Sequence, residues 1–171
     1  ECANGCRFVN YWMHNGFVTI NKEKMSKSLG NFLTIDSLLE KYDANTIRLF
    51  ILTNHYRMPV EFSDESLASA ASGAKRLYNA VNEAKKVAQI DEDMEITGFE
   101  ECKEFIEAMD DDLNTSRALA VLFDLSNKTN KDQSSKNLTL LVKLSEVLGF
   151  DFSKVELSED ELKQKLTPVV E

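Results

Sequence analysis

From Ser63 to Gly149 the apolar residues recur at spacings of three and four, and that period constrains the fold more than any other feature of the chain. Leu67, Ala70, Ala71, Ala74, Leu77, Tyr78, Val81, Ala84 and Ala88 form one stripe, and Cys102, Phe105, Ile106 and Met109 form a second. Leu119, Leu122, Phe123 and Ser126 make a third, flanked by Ala118, Val121 and Leu125. Leu138, Leu141, Val142, Ser145 and Leu148 make a fourth. A strand would need a period of two, so these stretches predict helices with one buried face each. The start signals agree. Ser63 stands before Asp64 and Glu65, Asn114 or Thr115 before the third stripe, and Gly149 closes the fourth. Polar breaks at 91–97 and 133–136 are short, which folds the helices back on one another as an antiparallel bundle. Each buried Leu or Phe contributes ~1.5–3 kcal/mol, so the bundle can hold itself together. A final short helix is expected from Ser158, with Glu161 completing a capping box and Pro168 ending it.

Before Ser63 the pattern is mixed. Phe8 to Met13 suggests a small helix stopped by Asn15-Gly16, with Trp12 and His14 assigned to packing. Phe17-Val18-Thr19-Ile20 is aromatic and β-branched and reads as a strand that turns back through Glu23-Lys24. Thr34 caps a helix with Ile35, Leu38, Leu39 and Tyr42 on one buried face. Asp43 caps another, carrying Ile47, Leu49, Phe50, Ile51 and Leu52. Arg48 interrupts that apolar run and is expected to bond a carboxylate or loop backbone. His55 to Phe62 contains a proline and reads as an extended connector. The expected division is a small mixed α/β subdomain over 1–62 and a helical bundle over 63–171. The fold class is mainly α.

Composition narrows the function. The 171 residues are 43% hydrophobic and 29% charged, an ordinary globular balance. A net charge of -9 repels a nucleic-acid backbone at long range, so any RNA contact has to come from a local patch. Tyr56 and Arg57 in the connector, beside His55, offer such a patch of stacking and cationic groups. No apolar run reaches membrane-spanning length and no secretory leader pattern is present, which points to the cytoplasm. Three cysteines do not form a disulfide framework. Cys102 sits in a helical stripe, whereas Cys2 and Cys6 with His14 amount to half a zinc site without a fourth ligand. No metal site is assigned.

The stretch with chemistry in it is Lys24-Met25-Ser26-Lys27-Ser28-Leu29-Gly30-Asn31. Two ammonium groups three residues apart, with two hydroxyls among them, can present several donors to one polyphosphate. Lysines that meet charge as it develops stabilise a transition state more than a ground state. The string KMSKS followed by LGN resembles the second signature of class I aminoacyl-tRNA synthetases. Its flanks, YWMHNGFV and NHYRMPVEFSDE, together with AMDDDLNT at 108–115, are similar to the cysteinyl-tRNA synthetase family.

That resemblance covers nearly the whole chain and implies a C-terminal portion of such an enzyme. It implies ATP and magnesium for forming cysteinyl-adenylate, followed by transfer of the cysteinyl group to tRNA(Cys). Lys24 and Lys27 are then the catalytic lysines, and Lys27, Ser26 and Ser28 bind ATP. Tyr56 and Arg57 are possible tRNA contacts. The family's zinc, which holds the substrate thiolate, takes its ligands from outside this chain. The first signature and the nucleotide-binding sheet would precede Glu1, which implies a chain that is inert alone; a monomer is expected. Two other readings keep the loop: a cysteine ligase acting on an amino sugar, and a non-catalytic helical adaptor.

Overall fold

The computed structural model describes residues 3–20, 23–25 and 34–153, with Lys24 described by its backbone alone. Its elements follow in the order β1 (Val18–Ile20), β2 (Glu23–Lys24), α1 (Ile35–Leu39), α2 (Ala44–Leu52), β3 (Val60–Phe62), α3 (Asp64–Lys85), α4 (Glu100–Asp110), α5 (Thr115–Asp132) and α6 (Ser135–Val147). The chain is mainly helical with a small sheet, as the periodicity requires, and no strand falls between 99 and 148. The expected helix from Ser158 lies outside the described residues.

The caps explain where the helices begin. Ser63 accepts from the Ser66 amide while the Ser66 hydroxyl accepts from the Ser63 amide, a reciprocal box with Asp64 and Glu65 in the first turn. Asp43, Asn114 and Ser134 cap α2, α5 and α6 through their side chains. α5 ends on Gln133 in the left-handed region at φ 48°. Gly149, at φ 81°, ends the turn after α6, where a residue without Cβ carries no steric penalty.

α3, α4, α5 and α6 enclose one core in which Leu77, Leu122, Leu125, Leu138, Leu140 and Leu141 are fully buried. Leu49 of α2 belongs to the same core, and Gly73 of α3 lets it approach: a Cβ there would lie 2.7 Å from the Leu49 Cδ2. A satellite cluster of Phe50, Leu67 and Ala70 gathers Leu38, Tyr42, Val60 and Phe62 around it. Across the surface, Lys128 pairs with Glu101 at 2.7 Å and Arg117 with Glu107 at 3.3 Å, joining α5 to α4. The acidic segment after α3 is closed by Lys143, which donates to the Glu92 and Met94 carbonyls.

Several expectations are corrected. No helix forms over Phe8 to Met13; the segment bends at Phe8 and Asn10 and is otherwise irregular. Trp12 is 71% exposed and stacks on His14 in the open, so neither packs in a core. Gly5 at φ 63° and the asparagines at 10 and 15 break a run too short to nucleate a helix. Ile35, Leu39, Ile51 and Ile106 are exposed, because each helix meets its neighbours over a narrower arc than its apolar residues span. Arg48 bonds the Asn45 side-chain amide at 3.4 Å rather than a carboxylate, and its guanidinium lies over Gly149. The connector before Ser63 is partly a strand: β3 lies parallel to β1, a long-range pairing that no local pattern announces.

Candidate functional site

β1 is the middle strand of a three-stranded sheet of order β2-β1-β3. It pairs antiparallel with β2, Thr19 opposite Lys24 and Ile20 opposite Glu23. The Met25 amide donates to the Val18 carbonyl at 3.1 Å and extends that hairpin into the first two residues of the lysine stretch. On its other side β1 pairs in parallel with β3, Val18 opposite Val60 and Ile20 opposite Phe62. The β-branched and aromatic residues of both strands suit this half-buried surface. The backbone on which Lys24 sits is therefore held from both edges of one short strand. Ser26, Lys27 and Ser28 lie outside the described residues.

The connector that delivers β3 also grips the entry to β1. The Gly16 amide donates to the Tyr56 carbonyl at 2.7 Å, and the Val60 amide to the Phe17 carbonyl at 2.9 Å. Gly16 is required here because a Cβ would lie 2.1 Å from the Met58 carbonyl oxygen.

Asp112, just beyond the end of α4, fastens that connector to the bundle. Arg57 donates to both of its carboxylate oxygens, Nε to Oδ2 at 2.6 Å and one terminal nitrogen to Oδ1 at 3.0 Å. The Tyr56 hydroxyl donates to Oδ1 at 2.7 Å, and His55 Nε2 stands 3.7 Å from Oδ2. The three connector side chains stack as well: His55 on Tyr56 at 4.9 Å, and the Arg57 guanidinium over the Tyr56 ring at 5.0 Å. A carboxylate holding a bidentate guanidinium and a phenol is stabilised as the anion, so Asp112 is held down to about 2. The same bond raises the Tyr56 phenol above its ordinary value. Asp112 and Leu113 both have φ 54°. Two successive left-handed residues without glycine cost roughly 1–2 kcal/mol each, a conformation that persists only where its surroundings insist on it.

The structure thus brings Tyr56 and Arg57 together with a partner, and places the backbone of Lys24 on the strand pair they support. Negative charge at the C-terminal end of a helix is unfavourable against the dipole, so the run Asp110-Asp111-Asp112 at the end of α4 needs compensating contacts. That need is met, but nothing local identified His55, Tyr56 and Arg57 as the groups that meet it. Asp111 finds its own partner in the Asn114 side chain at 3.2 Å. Beside the connector, an open groove between α2, β3 and α3 is lined by Thr53, Glu61, Ser66 and Ser69, with Arg76 stacked over Phe123 at its end. Among the described residues no group of three or more His, Cys, Asp or Glu could hold a metal ion, and Cys6 is exposed. Cys2, the partner of Cys6 in the half zinc site, lies outside the described residues.

Comparison with known proteins places these features. Residues 1–72 match the family model for the tRNA synthetases class I (C) catalytic domain, and residues 104–153 match the DALR domain. A Cysteine--tRNA ligase of Laribacter hongkongensis is 46% identical over 96% of this chain and 38% of its own length. Another, from Hahella chejuensis, is 47% identical over 87% of this chain and 33% of its length. The relative from Geobacter sulfurreducens is 50% identical over 77% and 29%. The chain spans about a third of the length of these curated relatives. With both domain models in order along it and such identity over nearly all of it, the chain belongs to the cysteinyl-tRNA synthetase family.

Proposed function

We propose that this chain is the part of an ATP-dependent cysteine--tRNA ligase that supplies the signature loop and the adjoining helical bundle. The observation that carries the reading is the identity of 46% along 96% of the chain with a relative bearing that name, over a stretch containing the KMSKS string. In this reading residues 1–62 end the catalytic region and residues 63–171 form the bundle that faces tRNA. The chain works as a monomer in the cytoplasm. Its substrates are cysteine, ATP with magnesium, and tRNA(Cys), and the enzyme's zinc is held by residues outside this chain.

Lys27 contacts the ATP phosphates, with Lys24 and the hydroxyls of Ser26 and Ser28 in support. When the cysteine carboxylate attacks the α-phosphorus, negative charge moves onto the departing pyrophosphate, and an ammonium group that meets it there lowers the barrier. Tyr56 and Arg57 provide the RNA-facing patch. Arg57 is more than half exposed, and the stacked His55 and Tyr56 rings present a surface on which a base can lie.

The test is single-turnover formation of cysteinyl-adenylate by the full-length ligase carrying Lys27→Ala. The rate is expected to fall by about 100-fold to 1,000-fold, the usual cost of removing a transition-state donor. Cysteine affinity, titrated on the same protein, should stay the same. An unchanged rate would return Lys27 to the status of a surface lysine.

A further inference from the structure

We propose that Asp112 is a positioning residue for the lysine loop: by clamping the connector from the bundle side, it sets the strand pair from which that loop departs. The inference rests on the ligase reading for its catalytic consequence, but its physical basis is independent of it. Asp112 grips Arg57 through two nitrogens and Tyr56 through its hydroxyl. The Tyr56 carbonyl, on the same residue, accepts from Gly16, and the Met58 carbonyl lies against Gly16 so closely that no side chain fits between them. Gly16 leads directly into β1, and β1 carries β2 and Met25 through the Thr19–Lys24 pairing and the Met25 amide bond. Every link in that series is a hydrogen bond or a van der Waals contact, and it runs from the end of α4 to the backbone of Lys24.

Two features separate this from an incidental surface ion pair. Exposed pairs of one lysine and one carboxylate generally contribute little, whereas a bidentate fork with a second donor fixes orientation. The carboxylate is also presented from two successive left-handed residues, at φ 54° each, that a plain helix end would not adopt. The turn is held in that shape by the Leu113 amide on the Met109 carbonyl and the Asn114 amide on the Ala108 carbonyl. Thr115 ties it to α2 through the Leu52 carbonyl at 2.8 Å. Asp112 is thus aimed by three helices at a connector whose other end is the loop's supporting sheet.

The experiment uses Asp112→Asn, which keeps the preference for the left-handed region, and Arg57→Gln, which leaves the turn between α4 and α5 untouched. Amide hydrogen exchange at Gly16 and Met25 should accelerate about tenfold in both variants, while Leu122 and Leu125 in α5 stay within about twofold of the parent. Unchanged exchange at Gly16 and Met25 would overturn the clamp, and so would equal acceleration in α5, which would report general loosening. In the full-length ligase, Asp112→Asn should slow cysteinyl-adenylate formation by about tenfold with cysteine affinity preserved, since small misplacements of a catalytic group are costly. Asp112→Glu should restore part of the rate. Normal adenylation alongside loosened exchange would overturn the positioning role. If the unmodified full-length protein forms no adenylate, the ligase reading falls, and the exchange data alone judge the clamp.

Discussion

Arg57 Nε lies 2.6 Å from Asp112 Oδ2 across 55 positions of sequence, and a second Arg57 nitrogen lies 3.0 Å from Oδ1. A fork of this kind needs both groups planar and coplanar, so it holds the connector at a defined angle to the end of α4. Tyr56 adds a third bond to the same carboxylate, so Asp112 joins the end of α4 to the connector that carries β3.

The clamp should release in acid. Asp112 titrates at about 2 in the folded chain, below the ordinary 3.8, so the charged form is favoured by folding. A depressed carboxylate stabilises the fold above its unfolded value and loses that contribution as pH falls through its folded value. Following the Tyr56 ring protons by NMR should therefore show the contact intact at pH 4 and lost progressively from about pH 3 to pH 1, centred on the folded value of about 2. In Asp112→Asn that transition should be absent.

Core and surface positions of similar chemistry should separate cleanly. Leu122 is fully buried where α5 faces the other helices, and Leu122→Ala should cost ~2–5 kcal/mol in denaturant unfolding through lost contacts and the cavity left behind. Ile106, one face away on α4 and 43% exposed, should tolerate alanine within about 0.5 kcal/mol.

Gly16→Ala should disrupt the sheet and spare the bundle. The added methyl meets backbone 2.1 Å away, which side-chain movement cannot relieve. The exchange protection of Met25 and Val60 amides should fall, while helical circular dichroism changes little.

The cysteines should differ in reactivity. Cys102 is 3% exposed, and burial pushes its thiol above the ordinary value, so the reactive thiolate is scarce. Maleimide labelling at neutral pH, located by peptide mapping, should modify exposed Cys6 and reach Cys102 only after denaturant is added.

The helices of the bundle were legible because local signals agree with one another. Ser63 and Asn114 cap where they should, Gly149 ends its helix, and the three-and-four spacing marks Leu77, Leu122 and Leu141 as interior. The KMSKS string and its flanks named the family before any geometry was known. Long-range geometry was not legible. Which of Ile106 and Ala108 turns inward depends on how wide an arc α4 shares with its neighbours, and periodicity alone does not measure that width. β3 is three residues long and pairs with a strand some forty positions earlier, at Val18 opposite Val60. Asp112 carries its charge at an unfavourable helix end, a local fact. Its partners Tyr56 and Arg57 follow only from how the helices pack, because a bond across that much sequence is set by where the elements come to rest and leaves no trace in the spacing of residues along the chain.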